Sequence, residues 1–408
     1  MRALIVTQYF WPESFRVNDL ALGLQERGHE VTVLTGMPNY PTGRLFPGYG
    51  LLRPARESYH GIPVLRVPLL PRGSGSRWRL ALNYAWFVAS AGLLGPLRAR
   101  GAFDVILAYE PSPITVGLPA VLLRRLKRAP LLFWVQDLWP ESLAATGAAP
   151  SPLVLGPTRA LVRFIYRRCD RVLVQSEGFR PRVEAVGARP GAVEYFPNWA
   201  ESFYRPVEVE PGAPERAEMG EEGFRVLFAG NIGAAQSFET ILAAAERLRG
   251  RPGLRLLVLG EGHRRAWLEA EVRARGLGDT VRLLGSRPDT SMPRYFALAD
   301  ALLVTLRRDP IFSLTVPSKL QTYLACGRPV VAALDGEGAR IVEEAGAGVV
   351  CPAEDAAGLA AAILNLYDRP HAERETMGRR ARSYFETHFE REALLTQLEG
   401  WMRDARGA

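Results

Sequence analysis

Cysteine and histidine are scarce in this chain of 408 residues. It has three cysteines and five histidines. The cysteines (Cys169, Cys326 and Cys351) are an odd and scattered set, so they cannot form a disulfide framework and lack zinc-ligand spacing. With so few histidines, a metal site is hard to assemble. A reducing cytosol is therefore the default compartment.

Several nucleotide-binding and hydrolase motifs are also missing. No G-x-G-x-x-G follows the first strand-like run and no G-x-x-x-x-G-K-[ST] occurs, which counts against dinucleotide oxidoreductases and P-loop enzymes. No G-x-S-x-G elbow or Cys/His pair suggests a hydrolase. Met1 leads directly into the apolar run Ala3–Thr7, so no signal peptide is expected.

Basic residues, by contrast, are abundant and unevenly placed. Of the 51 basic residues only Lys127 and Lys319 are lysine, so a lysine at any one position is informative. Residues 1–200 have a net charge of +11 and residues 201–408 a net charge of −3, which together give +8. The basic half is expected to face an anion. Nucleic acid, a phosphorylated ligand, an acidic membrane surface and a merely soluble basic surface all remain open.

Strand-like apolar runs alternate with helix-like runs along the whole chain. Such alternation predicts an α/β protein with parallel sheets covered on both faces. Two series of runs, separated by the polar segment 201–223, predict two doubly wound, Rossmann-like domains with ligands at the carboxyl ends of the strands, facing the cleft between them. The expected divisions are residues 1–198, residues 199–385, and a C-terminal helix over 386–408 that packs back toward the first domain.

The most apolar stretch of the chain is Leu80–Leu97, which is flanked by arginines. It is interrupted by Asn83, Ser90 and Pro96, and it is short for a membrane span of roughly 20 apolar residues. A buried domain helix, a helix lying on a membrane surface and a transmembrane helix are the three interpretations.

In the second half, glycines and a lysine follow predicted strands. The turns 229–233 and 259–262 contain glycines that let backbone N–H groups approach an anion, although such turns also need glycine for shape alone. A helix predicted to start near Pro317 places Ser318 and Lys319 where free N–H groups and the positive end of the helix dipole emerge. The pattern favours contact with a phosphate over an ordinary solvated helix start.

In the first half, Asp137 and Glu141 follow the apolar run Leu131–Val135 and are expected at its carboxyl end. Asp137 is either a group that orients a hydroxyl nucleophile and accepts its proton, or an N-cap of the next helix. Polar residues also follow the first two predicted strands: Glu13, Arg16, Asn18, Asn39 and Tyr40.

The order of four motifs resembles that of family 4 glycosyltransferases of the bacterial capsule, O-antigen and colanic acid type, similar to N-acetyl-fucosaminyltransferase-like enzymes. The motifs are PNYP at 38–41, DLWPES at 137–142, GNIG at 230–233 and PSK at 317–319. The resemblance covers almost the whole chain. It implies the GT-B architecture, with an acceptor on the N-terminal domain and a nucleotide-sugar on the C-terminal domain. It also implies transfer with retention at the anomeric carbon and neither metal nor other cofactor.

The resemblance also assigns roles to residues. It places the donor at Gly230, Asn231, Gly233, Gln236, Ser318 and Lys319, with the nucleoside near Glu261 and Arg287. It also makes Lys319 a catalytic residue together with Asp137. Asp137 would face the reacting hydroxyl, beside acceptor-binding residues at Glu13, Arg16, Asn18, Asn39, Tyr40 and Glu141. The sequence departs from the family where Leu314 and Thr322 occupy the positions of two glutamates. Gln236 stands in the region where many members carry Arg and Lys.

A glycosyltransferase of cell-surface polysaccharide synthesis is therefore the leading hypothesis. It would use a UDP-sugar as substrate and a polyprenyl-diphosphate-linked or saccharide acceptor. A basic acceptor domain suits such a lipid at an anionic membrane, so a cytoplasmic protein on the inner face of the plasma membrane is expected, without nucleic acid. The alternatives are a nucleotide-sugar epimerase, which needs no acceptor domain, and an inactive sugar-nucleotide-binding partner protein, which Leu314 and Thr322 favour.

Overall fold

A computed structural model describes residues 1–73, 76–145, 152–220 and 222–407. The chain forms two compact units. The first comprises Met1–Pro197 together with Glu392–Ala408, and the second comprises Asn198–Arg391.

The first unit contains an eight-stranded sheet in the order β3-β4-β2-β1-β5-β6-β7-β8. Neighbouring strands are parallel except for β3 and β4, which form an antiparallel hairpin. The central strands are apolar and fully buried, as expected for a sheet covered on both faces. The strands are β1 (Arg2–Val6), β2 (Glu30–Gly36), β3 (Arg56–Tyr59), β4 (Ile62–Val67), β5 (Val105–Glu110), β6 (Leu131–Val135), β7 (Arg171–Val174) and β8 (Val193–Tyr195).

Helices of the first unit cover both faces of this sheet. They are α1 (Arg16–Glu26), α2 (Arg77–Arg98), α3 (Gly117–Lys127), α4 (Glu141–Ala145), α5 (Pro152–Tyr166) and α6 (Arg180–Val186). The connection through α1 runs toward β2, whereas those through α2, α3 and α5 run the opposite way across the sheet. Because parallel crossovers are right-handed, α1 lies on one face, and α2, α3 and α5 lie on the other.

The second unit contains a six-stranded, fully parallel sheet in the order β11-β10-β9-β12-β13-β14. Alternate residues of its strands enter two apolar layers: Leu227 and Leu257 belong to one layer, and Val226 and Phe228 to the other. The strands are β9 (Phe224–Ala229), β10 (Leu254–Leu259), β11 (Val281–Gly285), β12 (Ala301–Thr305), β13 (Val330–Ala333) and β14 (Gly348–Cys351).

Ten further helices complete the part of the chain that the structure describes: α7 (Pro214–Met219), α8 (Phe238–Arg247), α9 (Arg265–Ala274), α10 (Met292–Leu298), α11 (Pro310–Ser313), α12 (Ser318–Ala325), α13 (Glu337–Glu344), α14 (Ala356–Tyr367), α15 (His371–His388) and α16 (Arg391–Gly407). All but one residue of α16 belong to the first unit. There Glu392 accepts a 2.7 Å bond from Arg27, and the Trp401 ring packs edge-on against Phe196 at 5.8 Å.

The prediction of two parallel α/β sheets is confirmed. The hairpin of β3 and β4 was not predicted, because β4 contains an arginine that a buried strand does not normally carry. The Arg66 side chain is nonetheless fully buried, since its guanidinium donates to the Glu57 carboxylate and to the carbonyl oxygens of Gly36 and Trp11.

The predicted linker over 201–223 is wrong for Pro214–Met219, which form α7. This helix is too short to show an apolar period, and charged side chains fix it to the second unit. Glu215 pairs with Arg294 at 2.8 Å, and Glu218 pairs with Arg287 at 2.8 Å.

Candidate active site

In the second unit, the two predicted glycine turns lie against each other at the carboxyl ends of β9 and β10. Gly230 has φ +139° and its amide donates to the Leu259 carbonyl at 2.9 Å. A Cβ on Gly260 would collide with the Gly230 carbonyl oxygen, and one on Gly262 would collide with that of Ile232. Glycine is therefore required here for the close approach of two backbones.

Lys319, at the start of α12, packs against the first of these turns. Its Nζ lies 3.8 Å from the centroid of the Phe228 ring and 3.3 Å from the position that a Cβ on Gly230 would occupy. The residue as a whole is partly exposed, but its Nζ is shielded from solvent and has no hydrogen-bond partner. Burial lowers the pKa of this ammonium group to about 7. The neighbouring Ser318 is exposed at the first turn of α12.

The rest of the loop after β9 is held by its own side chains. The Gln236 Oε1 accepts from the Gly233 amide at 3.2 Å, and the Gln236 carbonyl accepts from the Thr305 hydroxyl at 2.5 Å. The Asn231 side chain lies beside Gly233 and Gly262. Gln236 thus fixes the shape of the loop.

A basic residue that the sequence analysis missed also adjoins this loop. The amide of Arg307, just beyond β12, donates to the Ala235 carbonyl at 2.8 Å. Its side chain is 58% exposed, and its nearest acidic partner, Glu354, is 3.6 Å away. Its position after a strand end was the available signal. Arg307 is a second cation beside the glycine turn.

Glu261 and Arg287, the residues expected near a nucleoside, converge on Gly285 at the end of β11. Their charged atoms lie 3.9 Å and 3.6 Å from the position of a Cβ on that glycine. Each is already paired: Glu261 with Arg265, and Arg287 with Glu218 and the Tyr295 hydroxyl. The Glu218 carboxylate raises the pKa of Arg287.

Neither position that departs from the family supplies a carboxylate in this unit. The Thr322 hydroxyl donates to the Lys319 carbonyl at 2.8 Å, one turn back along α12. Leu314 follows α11 directly, and its amide donates to the Ile311 carbonyl at 3.2 Å.

In the first unit, Glu13 joins the loops that follow β1 and β2. The residue is 2% exposed, and its carboxylate accepts from the amides of Phe10 (3.2 Å), Asn39 (2.8 Å) and Tyr40 (2.7 Å). Burial raises the pKa of Glu13 to about 7, although these amides oppose the shift. The Asn18 Nδ2 also donates to the Glu13 carbonyl at 2.7 Å. We call this set of hydrogen bonds around Glu13 the Glu13 clasp.

An aromatic cluster lies on this clasp. Tyr9 stacks on Phe15 at 5.2 Å, and the ring of Tyr40 is within 6 Å of both. The guanidinium carbon of Arg72 lies 5.3 Å from the centroid of the Tyr40 ring and 5.9 Å from that of Tyr9. The Tyr9 residue is buried, so the accessible surface consists of the exposed Tyr40, the partly exposed Phe15 and the Arg72 cation. Such a surface suits the face of a sugar ring or an anionic group.

Two carboxyl groups lie at the carboxyl ends of the neighbouring strands β5 and β6. Burial raises the pKa of Asp137 to about 6, against a hydrogen bond from Ser112. Glu110, the last residue of β5, is fully buried, and burial and then the charge of Asp137 raise its pKa. Glu110 was not predicted, because a carboxyl inside an apolar run gives no signal without its neighbour.

The remaining predicted residues of this unit lie near the same pair. Arg16, at the start of α1, and Asp137 both act electrostatically on Tyr109. Glu141 begins α4, and its charge acts on the buried Tyr166. Among the described residues, no group of three or more His, Cys, Asp or Glu side chains is arranged to hold a metal ion.

Comparisons with known proteins address both units. Residues 14–199 match the glycosyl transferase 4-like domain family, and residues 223–369 match the glycosyl transferases group 1 family. A protein of Escherichia coli (strain K12) named as the colanic acid biosynthesis glycosyl transferase WcaI is 27% identical over 74% of this chain and 75% of its own length. A Pseudomonas aeruginosa protein named as the glycosyltransferase WbjE is 29% identical over 72% of each chain.

Among solved structures, Anabaena HepE in complex with UDP-glucose aligns with a TM-score of 0.68. The alignment covers 99% of this chain and 100% of that one, at 17% identity. At this identity the likeness shows the fold.

Proposed function

The chain belongs to the family 4 glycosyltransferases, with the GT-B fold, and from this membership we propose that it transfers a sugar from a UDP-linked donor. The sugar is of the hexosyl or N-acetylhexosaminyl type, and the acceptor is lipid-linked or an oligosaccharide of a cell-surface polysaccharide. The bond from the anomeric carbon to the diphosphate breaks, and a bond to an acceptor hydroxyl oxygen forms with retention.

The single observation that carries the proposal is the unpaired ammonium of Lys319 beside the Gly230 turn. A buried ammonium without a hydrogen-bond partner costs stability, and its low pKa reflects that cost. The missing partner is an anion. A diphosphate at this turn would accept from Lys319, from the Ser318 hydroxyl and from backbone amides in the first turn of α12, because the Ile232 and Gly233 amides already donate within the turns.

Lys319 then stabilises the negative charge that develops on the leaving diphosphate. A fixed cation that acts on developing charge contributes to the rate as oxyanion-stabilising donors do, at about 10²–10³-fold. Arg307 is positioned as the second cation that the sequence analysis did not find. Glu261 and Arg287 take the nucleoside side of the donor, near Gly285.

On the acceptor side, Asp137 orients the attacking hydroxyl and accepts its proton. With a pKa of about 6 it is largely ionised at neutral pH, as a proton acceptor must be. The rings of Phe15 and Tyr40 and the cation of Arg72 suit a sugar attached to a diphosphate. The Glu13 clasp, with Asn18 and Asn39, holds this surface in shape.

The second candidate function is that of an inactive partner that binds a sugar nucleotide. It is favoured by Leu314 and Thr322, which cannot make carboxylate bonds to sugar hydroxyls. The charge of the first half favours the enzyme, because a polyprenyl-diphosphate acceptor is anionic. A protein that uses such an acceptor works at the cytoplasmic face of the plasma membrane.

The first test is thermal stabilisation by UDP, GDP, ADP, UDP-glucose and UDP-N-acetylglucosamine. A ligand that binds only the folded state raises the melting temperature. At a ligand concentration of 100 times Kd, the free energy of unfolding increases by about 2.7 kcal/mol. We expect a shift with uridine nucleotides that is lost in Lys319→Met and kept in Lys127→Met, the matched lysine variant. No shift with any nucleotide would refute the donor site.

The second test is transfer from the UDP-sugar that stabilises the protein to a polyprenyl-diphosphate-linked sugar, with the product followed by mass spectrometry. Transfer supports the enzyme. Nucleotide binding with neither transfer nor donor hydrolysis supports the partner protein.

A further inference from the structure

Exposed apolar side chains are concentrated on one part of the first unit. Fourteen large apolar side chains of the described residues are exposed, and all fourteen belong to this unit. The described part of the second unit exposes none by the same measure. Ten of the fourteen lie on α2, α3 and α5: Trp78, Leu82, Trp86, Leu93, Leu97, Leu122, Leu126, Leu153, Val154 and Phe164.

The pattern is clearest along α2. Its exposed members recur at intervals of four or seven residues, so they lie on one side of the helix. Trp78 is 82% exposed and Leu93 is 74% exposed. The opposite side is built into the unit, where the buried Asn83 accepts a 2.7 Å bond from Gln8. The usual arrangement of a surface helix, with polar residues outward, is therefore absent.

The charges of the same helices are all of one sign. Their sequences contain eight basic residues and no acidic one. An exposed arginine, Arg168, follows α5, and its guanidinium lies 3.7 Å from the centroid of the exposed Phe164 ring. The basic residues are Arg77, Arg79, Arg98, Arg124, Arg125, Lys127, Arg159 and Arg163.

The three helices form one surface. All lie on the same face of the sheet, α2 packs against α3, and α3 packs against α5. We call the exposed side of these helices the basic apolar face. An apolar patch of this kind marks a binding surface rather than an ordinary solvated exterior.

The charge of the face selects its occupant. A second copy of the chain would bring two sets of arginines together, which is unfavourable. An acidic bilayer supplies what both residue types need: negative headgroups for the arginines, and the edge of the hydrocarbon for leucine and tryptophan.

The helix α2 is also long and apolar enough to cross a membrane, by length and composition alone. Its buried side belongs to the core of the unit, however, where the Ser90 hydroxyl donates to the Pro68 carbonyl at 2.8 Å. We propose that the basic apolar face docks flat on an acidic phospholipid bilayer, with α2 lying in the interface. The assignment rests on the proposed function in one respect, that a lipid-linked acceptor is reached at such a surface.

Co-sedimentation with vesicles tests the proposal. Vesicles of phosphatidylcholine are compared with vesicles that also contain phosphatidylglycerol. The wild-type chain is expected to bind the acidic vesicles at least about tenfold better. The apolar variant Trp78→Ser/Trp86→Ser/Leu93→Ser should lose about tenfold, whereas Leu51→Ser/Leu52→Ser, on exposed residues outside the face, should not.

Two charge-reversal variants provide an independent test. Arg125→Glu/Arg159→Glu changes two exposed arginines of the face, and Arg247→Glu/Arg273→Glu makes the same change of charge in the second unit. Only the first should weaken binding to acidic vesicles. Equal binding by both, or no vesicle binding by the wild type, would overturn the proposal.

Two further readouts separate the possible failures. If light scattering shows a wild-type dimer that the apolar variant converts to a monomer, the face is an interface between copies and the membrane proposal is wrong. Thermal stabilisation by UDP is measured on every variant. A variant that keeps this stabilisation and loses vesicle binding supports the docking face, while a wild-type chain that binds vesicles but no nucleotide refutes only the proposed function.

Discussion

The ammonium of Lys319 lies 3.8 Å from the centroid of the Phe228 ring and has no hydrogen-bond acceptor. An aromatic face attracts a cation, but more weakly than a carboxylate or phosphate does. The ammonium is therefore held in position beside the ring, and its burial lowers the stability of the unliganded protein.

Removing the charge should stabilise the unliganded protein. Lys319→Met keeps the length of the side chain and removes the buried ammonium, so we expect a gain of about 1–2 kcal/mol in the free energy of unfolding at pH 7. The pKa of about 7 is below that of an unfolded lysine, so the wild type regains this stability as the pH rises from about 7 toward 10. The gain in the variant should shrink over the same range.

Denaturant unfolding at pH 7 and pH 10 measures this difference. Lys127→Met is the control and should change the stability by less than about 0.5 kcal/mol. A variant of Lys319 that is less stable than the wild type at pH 7 would contradict a buried, unpaired ammonium.

Binding of a diphosphate should take up a proton. An anion beside Lys319 raises its pKa above the value of about 7, so the ammonium forms on binding. At pH 8 the uptake should approach one proton, and it should vanish near pH 6. Calorimetry of UDP-glucose binding in buffers of different ionisation enthalpy measures the uptake, because the diphosphate of UDP-glucose does not titrate in this range.

Lys319→Arg is the matched variant for this measurement. Its guanidinium stays protonated at every pH used, so neither proton uptake nor a pH-dependent affinity is expected. Equal uptake in the wild type and in this variant would assign the proton to another group.

Much of the placement of these candidate residues could be predicted because they follow strands. In a parallel sheet the carboxyl ends of neighbouring strands lie at one edge, so the glycine turns after β9 and β10 come together from the order of strands alone. Lys319 could be singled out because lysine is rare in this chain. The lack of a hydrogen-bond partner for its ammonium could not be predicted, since it depends on which side chains lie around that ammonium in the folded protein.

The features that escaped prediction depend on contacts between distant segments. β4 was missed because the partners that allow Arg66 to be buried, among them Glu57 and the Gly36 carbonyl, come from other strands. The role of Glu13 was predicted as acceptor binding, but only the structure shows that its carboxylate already accepts the amides of Asn39 and Tyr40.

Loss of the Glu13 carboxylate should therefore destabilise the first unit. Glu13→Ala leaves three largely buried amides without an acceptor, which should cost at least about 2 kcal/mol. Glu13→Gln restores one acceptor oxygen and should cost less. Because the pKa of Glu13 in the folded state is raised to about 7, the stability it contributes falls as the pH rises from about 4 to 7.

Unfolding of these variants is followed by circular dichroism, with the exposed Glu184→Ala as control. Stabilisation by UDP should persist in Glu13→Gln, because the donor site belongs to the other unit. If Glu13→Ala is as stable as the wild type, the carboxylate does not hold the two loops.

Asp137 should set the acidic limit of the reaction. Its pKa of about 6 is raised by burial, so kcat/KM should fall about tenfold for each pH unit below 6, as the carboxylate is protonated. Asp137→Asn should lower kcat by about 10²–10⁴-fold and keep the stabilisation by UDP. Glu110 is the competing origin of this loss of activity at low pH, because burial and the charge of Asp137 raise its pKa as well. If Asp137 is the titrating group, Glu110→Gln should keep the same fall in kcat/KM below pH 6. Disappearance of that fall in Glu110→Gln would assign the titration to Glu110 instead.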